Sequence, residues 1–147
     1  MSQTVSLRLP DELVTRIDRF ARMLGNGTTR TRASVILLDE ALREEDFAGI
    51  EFRNTSIGRQ PFVKQAGMAI WEFIMVAQGF GMDAERTAEY LQCPVGYVKA
   101  ALNYYHAYGE EIDQALQDND MGEERLKRLF PNLQVFTVPL QEGEKTS

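Results

Sequence analysis

The chain has 147 residues, 44% hydrophobic and 26% charged, with 16 Lys+Arg against 22 Asp+Glu and a formal net charge of −6. This is globular composition, with room for one ordinary domain or two very small ones. It excludes disordered and fibrous classes and argues against a generally basic nucleic-acid-binding protein.

At the N-terminus, Met1 to Arg8 lacks the apolar run of a signal peptide. The apolar stretches Val35–Leu38 and Phe73–Val76 are too short to span a bilayer, so a cytoplasmic protein with no membrane partner is expected. Residues 4–9, Thr-Val-Ser-Leu-Arg-Leu, alternate polar and apolar. The period of two predicts a strand with Thr4, Ser6 and Arg8 on one face and Val5, Leu7 and Leu9 on the other. Pro10 ends it and suits a first helical turn, with Asp11 and Glu12 at the positive helix end. The helix that follows is expected to bury Leu13, Ile17, Phe20 and Leu24, and Gly25-Asn-Gly27 stops it. A second helix is expected after Thr31 as N-cap. Its apolar face, Ala33, Ile36, Leu37, Ala41 and Leu42, is widened by Val35 and Leu38, which suggests burial on more than one side, as in a dimer core. Arg43-Glu-Glu-Asp46 reads as a solvated end.

Residues 47–65 read as a loop or loose hairpin around Ile50-Glu-Phe52 and Pro61-Phe-Val63. Helices are expected at Met68–Gln78, Asp83–Leu91, Val95–Tyr108 and Glu110–Asp118, with Asp83 as N-cap and Pro94 where a new helix begins. A short charged helix is expected over Glu123–Phe130, followed by the apolar stretch Leu133–Leu140.

A lone strand leaves both rows of backbone N–H and C=O groups unpaired, and no second strand follows nearby. The simplest partner is the same strand of a second chain, antiparallel about a twofold axis. Val5, Leu7 and Leu9, with Ile36 and Leu37, would then form the dimer core. Thr4, Ser6 and Arg8 would stand out together on a two-stranded ribbon, a shape that fits the DNA major groove. Arg30 and Arg32 flank Thr31 at the start of the second helix, where backbone N–H groups can clamp phosphates.

The run Thr-Val-Ser-Leu-Arg-Leu-Pro-Asp-Glu-Leu, a helix ending near Gly25, then Thr31-Arg-Ala-Ser-Val-Ile, resembles a ribbon-helix-helix DNA-binding domain of the CopG, Arc and MetJ kind. The resemblance covers the first third of the chain. It implies base reading by Thr4, Ser6 and Arg8, and phosphate clamping by Thr31 and Arg32. Two departures concern the clamp. The turn Gly25-Asn-Gly-Thr-Thr-Arg30 is longer than usual, and Ala33 stands where a second small polar residue is common. The charges are split in the same sense. Residues 1–32 hold six arginines and three acids, a net +3, while residues 33–147 hold 10 basic and 19 acidic residues, a net −9.

Thr87-Ala-Glu-Tyr-Leu91, Gln92-Cys-Pro94 and Val95–Ala101 have helix-turn-helix spacing, with Ala88 at the crossing and Leu91, Cys93, Val98 and Ala101 as core. As a second DNA reader this helix offers only Lys99, Asn103 and the tyrosines at 97, 104 and 105, too little positive charge for phosphate contacts. A packing or oligomerising role suits it better. The runs Ile50-Glu-Phe-Arg53, Ile57-Gly-Arg-Gln-Pro-Phe-Val63, Ala69-Ile-Trp-Glu72, Thr87-Ala-Glu-Tyr-Leu91 and Val98-Lys-Ala-Ala-Leu-Asn-Tyr-Tyr105, over about residues 48–118, are also similar to a family of small bacterial domains of unknown function with a helix-turn-helix core, associated with VapB-like antitoxins of PIN-type ribonuclease toxins.

The tail carries Leu126, Leu129, Phe130, Leu133, Val135, Phe136 and Val138 among acids. Residues 109–147 hold nine acids and four basic residues, a net −5. Such a segment either binds a partner, such as the basic cleft of a small ribonuclease toxin, with Leu126, Leu129, Phe130, Val135 and Phe136 as contacts, or completes its own core.

Enzyme readings fare poorly. Cys93 and His106 lack a third catalytic member, and Glu110-Glu111 and Glu123-Glu124 read as solvated faces. Trp71, Phe73 and Phe80 read as core. No cofactor, metal or catalytic residue is expected. The expectation is a mainly α chain in three parts: a ribbon-helix-helix over 1–46, a helix-turn-helix-like domain over 47–118 and a tail over 119–147. Its partners are operator DNA, a second copy and a small ribonuclease toxin. The function expected is that of an antitoxin and autorepressor, the alternative being a transcriptional or plasmid copy-number regulator with no toxin.

Overall fold

The structure, a computed structural model, describes the backbone of residues 1–129 and the side chains of residues 1–120. The chain is mainly helical, with the order α1 (Asp11–Leu24), α2 (Arg30–Asp46), β1 (Ile50–Thr55), β2 (Gly58–Val63), α3 (Ile70–Gly79), α4 (Ala84–Leu91) and α5 (Val95–Leu129).

Residues 1–10 carry neither helix nor strand, so the strand expected over 4–9 is not formed in the single chain. A ladder needs a second backbone, and the only described sheet, β1 with β2, does not supply one.

Pro10 precedes α1, and Asp11 and Glu12 occupy its first turn. Ile17 and Ala21 are its buried residues; Phe20 and Leu24 are half-buried, and Leu13, expected inside, is exposed. Gly25, Asn26 and Gly27 all have positive φ in the turn to α2. Gly25 combines φ 72° with ψ −163°, a region open essentially to glycine alone, which accounts for the residue there. The N-cap of α2 is Thr29, not Thr31: its backbone is extended and its Oγ1 accepts the Arg32 N–H at 3.1 Å. Thr31 therefore sits inside the first turn. Against α1, α2 places only Ala33 fully inside, with Leu37 and Leu9 partly buried around it.

The segment expected as a loop or loose hairpin is a regular hairpin. Ile50 pairs with Val63 and Thr55 with Gly58 across a two-residue turn. Helix α3 begins at Ile70, two residues later than expected, where the Glu72 carboxylate accepts the Ala69 N–H at 2.7 Å. Apolar on several sides, α3 buries Ile70, Phe73, Ile74, Val76 and Ala77 and is the centre of the larger core. Asp83 caps α4 as expected, its Oδ1 accepting the Arg86 N–H at 2.9 Å. The helices expected over Val95–Tyr108 and Glu110–Asp118 and the one expected to start at Glu123 fall, as far as Leu129, in one element, α5, which leaves helical geometry at Tyr108 (φ −124°, ψ 39°).

Ile50, Val63, Ile70, Phe73, Ile74, Ala88, Val98, Ala101, Tyr104 and Ile112 form the larger core. Phe80 is buried as expected; Trp71, Leu91 and Cys93 are only half-buried. Burial raises the Cys93 thiol above its ordinary pKa, which suits a packing residue more than a nucleophile.

Candidate nucleic-acid interface

The three side chains expected to read bases, Thr4, Ser6 and Arg8, are all exposed, and so are Val5 and Leu7 between them. Val5 is 74% and Leu7 64% accessible, while Leu9 is half-buried against the α1–α2 contact. The apolar side of this arm therefore lies open. A second open apolar surface runs along α2, where Val35, Leu38 and Leu42 are exposed at spacings of three and four. Those spacings put the three on one face of the helix, apart from the Ala33 and Leu37 side that meets α1. Ile36 and Leu37 are half-buried within the chain.

At the start of α2 the three expected phosphate residues do not behave alike. Thr31 and Arg32 are exposed. Arg30 is held by Asp18 of α1 in a two-pronged pair, Nε to Oδ1 and Nη2 to Oδ2, both at 2.9 Å. These hydrogen bonds lower the Asp18 pKa below its ordinary value and raise that of Arg30. Arg30 thus fastens α2 to α1, and its fork is engaged in the free chain. By contrast, Arg8, Arg16, Arg19, Arg22 and Arg32 make no ion pair among the described residues.

The helix-turn-helix segment is depleted as a reader by its own packing. Tyr104 is fully buried, Tyr97 donates its hydroxyl to Gln65, and Tyr105 donates to Asp113 at 2.6 Å. Lys99 and Asn103 remain exposed, and His106 is exposed too.

Sequence reasoning missed the link between α2 and the rest of the chain. Arg43 was expected in a solvated end and Glu111 on a solvated face. Instead the Arg43 side chain is 17% accessible, and its Nη1 donates to the Tyr104 hydroxyl at 2.7 Å and to the Glu111 carboxylate at 2.9 and 3.0 Å. Its guanidinium lies 3.9 Å from the Tyr108 ring centroid, at the point where α5 leaves helical geometry. Its Nε is 3.1 Å from Asp39 Oδ2 but is not aligned for a hydrogen bond. Burial alone would lower the Arg43 pKa; the bonds to Glu111 and Tyr104 outweigh it and raise the pKa. Burial, reinforced by the bond to Glu111, pushes the Tyr104 hydroxyl far above its ordinary value. A second link joins buried Glu40 of α2 to Arg59 of β2, with Nε to Oε2 at 3.1 Å, and the Arg59 guanidinium lies 5.2 Å from the Phe20 ring centroid. No local pattern signals these pairs, because their members are far apart in sequence.

Beyond the Arg43 link, α2, the hairpin and the second half of α5 enclose an open groove of about 920 Å³, with Arg32 and Asn119 among its lining residues. Among the described residues no three His, Cys, Asp or Glu side chains are grouped to hold a metal ion, and no helix is long and apolar enough to cross a membrane. The expected partner contacts Leu126, Leu129, Phe130, Val135 and Phe136 lie outside the residues whose side chains are described.

No known family model, curated protein or solved structure matches the chain. Its functional reading rests on the geometry above and on the sequence pattern.

Proposed function

We propose that this chain is a homodimeric DNA-binding repressor that reads its operator through a ribbon made by residues 4–9 of two copies. The observation that carries the reading is the unpartnered apolar surface of the first 46 residues. Val5 and Leu7 on the arm, and Val35, Leu38 and Leu42 on α2, are more than half exposed although each lies on an apolar face. A second copy pairing its arm antiparallel would cover these groups and satisfy the arm's backbone, leaving Thr4, Ser6 and Arg8 of both copies outward. Thr31 and Arg32 at the exposed start of α2 then serve as phosphate contacts.

Within this reading the chain is the antitoxin and autorepressor of a toxin–antitoxin pair, its acidic C-terminal third covering the basic cleft of a small ribonuclease. That part is supported by the pattern of residues 48–118 and by the acidic, apolar-studded tail. One observation favours a regulator without a toxin: the second part of the chain is fastened to α2 through Arg43–Glu111 and Glu40–Arg59, so it has a packing role of its own. Pull-down from the native host separates the two. Capture of a small ribonuclease by the full chain, lost on deleting residues 119–147, fits the antitoxin; copurification alone fits the regulator.

The DNA reading is tested at Arg8. Arg8→Ala is expected to weaken specific operator binding by about 1–3 kcal/mol, the worth of one bidentate base contact. Unchanged mobility-shift affinity for the operator would show that the arm does not read DNA.

A further inference from the structure

We propose that the outward face of α1 is a second, sequence-independent binding site for DNA backbone phosphates, formed by Arg16, Arg19 and Arg22. This deepens the DNA-binding reading and rests on it.

The three arginines recur every third residue, all are exposed, and none has a carboxylate partner within ion-pair distance among the described residues. Like charges at this spacing face one another along a helix and destabilise it. The nearest acids relieve them only in part. Asp18 is held by Arg30 in a two-pronged pair and attracts Arg22 only at longer range, and Asp11 and Glu12 sit in the first turn of α1, at the positive end of the helix. The inner face of α1 is occupied by Ile17 and Ala21, so the arginines are not needed for packing.

The geometry suits a polyanion. From Arg16 to Arg22 the helix rises about 9 Å, and each strand of a duplex carries one phosphate per about 3.4 Å of axis. Two or three successive phosphates fall within reach of the ridge. Its occupant is duplex backbone, because regularly spaced fixed charges match a ridge of regularly spaced cations, and because Arg8 and Arg32 carry further unpaired positive charge on the same short segment. The ridge is separate from the expected phosphate clamp at Thr31 and Arg32, and it compensates for Arg30, whose fork is taken by Asp18.

The test uses the full chain and a mixed-sequence DNA duplex across a salt series. The triple variant Arg16→Gln, Arg19→Gln, Arg22→Gln is expected to flatten the slope of log affinity against log salt by roughly 2–3 per chain. The corresponding lysine triple, which keeps the charge, is expected to restore it. Melting followed by circular dichroism confirms that both variants fold, and if the glutamine triple does not, each single Arg→Gln change is expected to flatten the slope by about 0.9. A slope unchanged in the glutamine triple, or a changed oligomeric state with unchanged duplex binding, overturns the proposal. Failure of the ribbon reading looks different: Arg8→Ala leaves operator affinity intact while the ridge variant still weakens duplex binding.

Discussion

The two ends of the described chain solve the burial problem in opposite ways. The region from β1 to the middle of α5 closes on itself: Ile50, Ile70, Phe73, Ile74, Val98 and Tyr104 are fully or almost fully inaccessible, and aromatic rings stack edge-on around Tyr104. The first 46 residues bury only Ile17, Ala21 and Ala33 among their apolar groups, while Val5, Leu7, Val35, Leu38 and Leu42 stay exposed. A segment with three buried apolar residues cannot offset the conformational entropy of ordering two helices by itself. It is fastened to the rest of the chain at Arg43 and Arg59, and under the proposed dimer its open apolar faces are where a second copy contributes the rest. The difference teaches that burial is concentrated in the second region, while the first leaves apolar surface open.

The sharpest way to break this comparison is to remove a side chain from the closed core. Phe73→Ala is expected to cost about 3–5 kcal/mol, read as a lower midpoint in urea unfolding. If the cost is under about 1 kcal/mol, the core is not what holds the chain.

The second test concerns the open face. Leu38→Asn is expected to leave the melting of the core unchanged while weakening self-association at least tenfold. Losing the burial of one leucine is worth about 1.5–3 kcal/mol, and a twofold interface counts it twice. Light scattering behind size exclusion reads the mass; an unchanged dimer would show that α2 does not pair through this face.

The smallest effect sharpens the link between the two regions. The hydroxyl of Tyr104 has its pKa raised in the folded chain, so the folded state keeps a proton that the unfolded state releases above about pH 10. Stability from this group is complete below the unfolded value and is lost as pH rises past it. Tyr104→Phe removes the hydroxyl that joins Arg43 and Glu111, and is expected to cost about 1 kcal/mol at neutral pH. It should also flatten the alkaline fall; an identical alkaline profile in the variant would mean that the Arg43–Tyr104–Glu111 group does not couple the regions.

Much of the local structure was legible in the residues. The Pro-Asp-Glu start of α1, the Gly-Asn-Gly turn, the Asp83 cap and the hairpin around Ile50 and Val63 each follow from chemistry within a few positions. The α2 cap was misplaced by two residues because Thr28, Thr29 and Thr31 are equivalent in composition, and only the backbone shows which Oγ1 faces an N–H. The break in α5 was anticipated near Tyr108 and Glu110, but not that the helix would continue beyond Asp118.

For the candidate interface, the sequence by itself determined the alternation of residues 4–9, the charge split between the first 32 residues and the remainder, and the amphipathic period of both N-terminal helices. These are properties of neighbours along the chain. Tertiary structure alone decided which arginines are free. Arg30 closes on Asp18, Arg43 on Glu111 and Arg59 on Glu40, while Arg16, Arg19 and Arg22 make no ion pair among the described residues. The physical reason is that an ion pair depends on distance through space, and folding brings Arg43 beside a carboxylate 68 positions away.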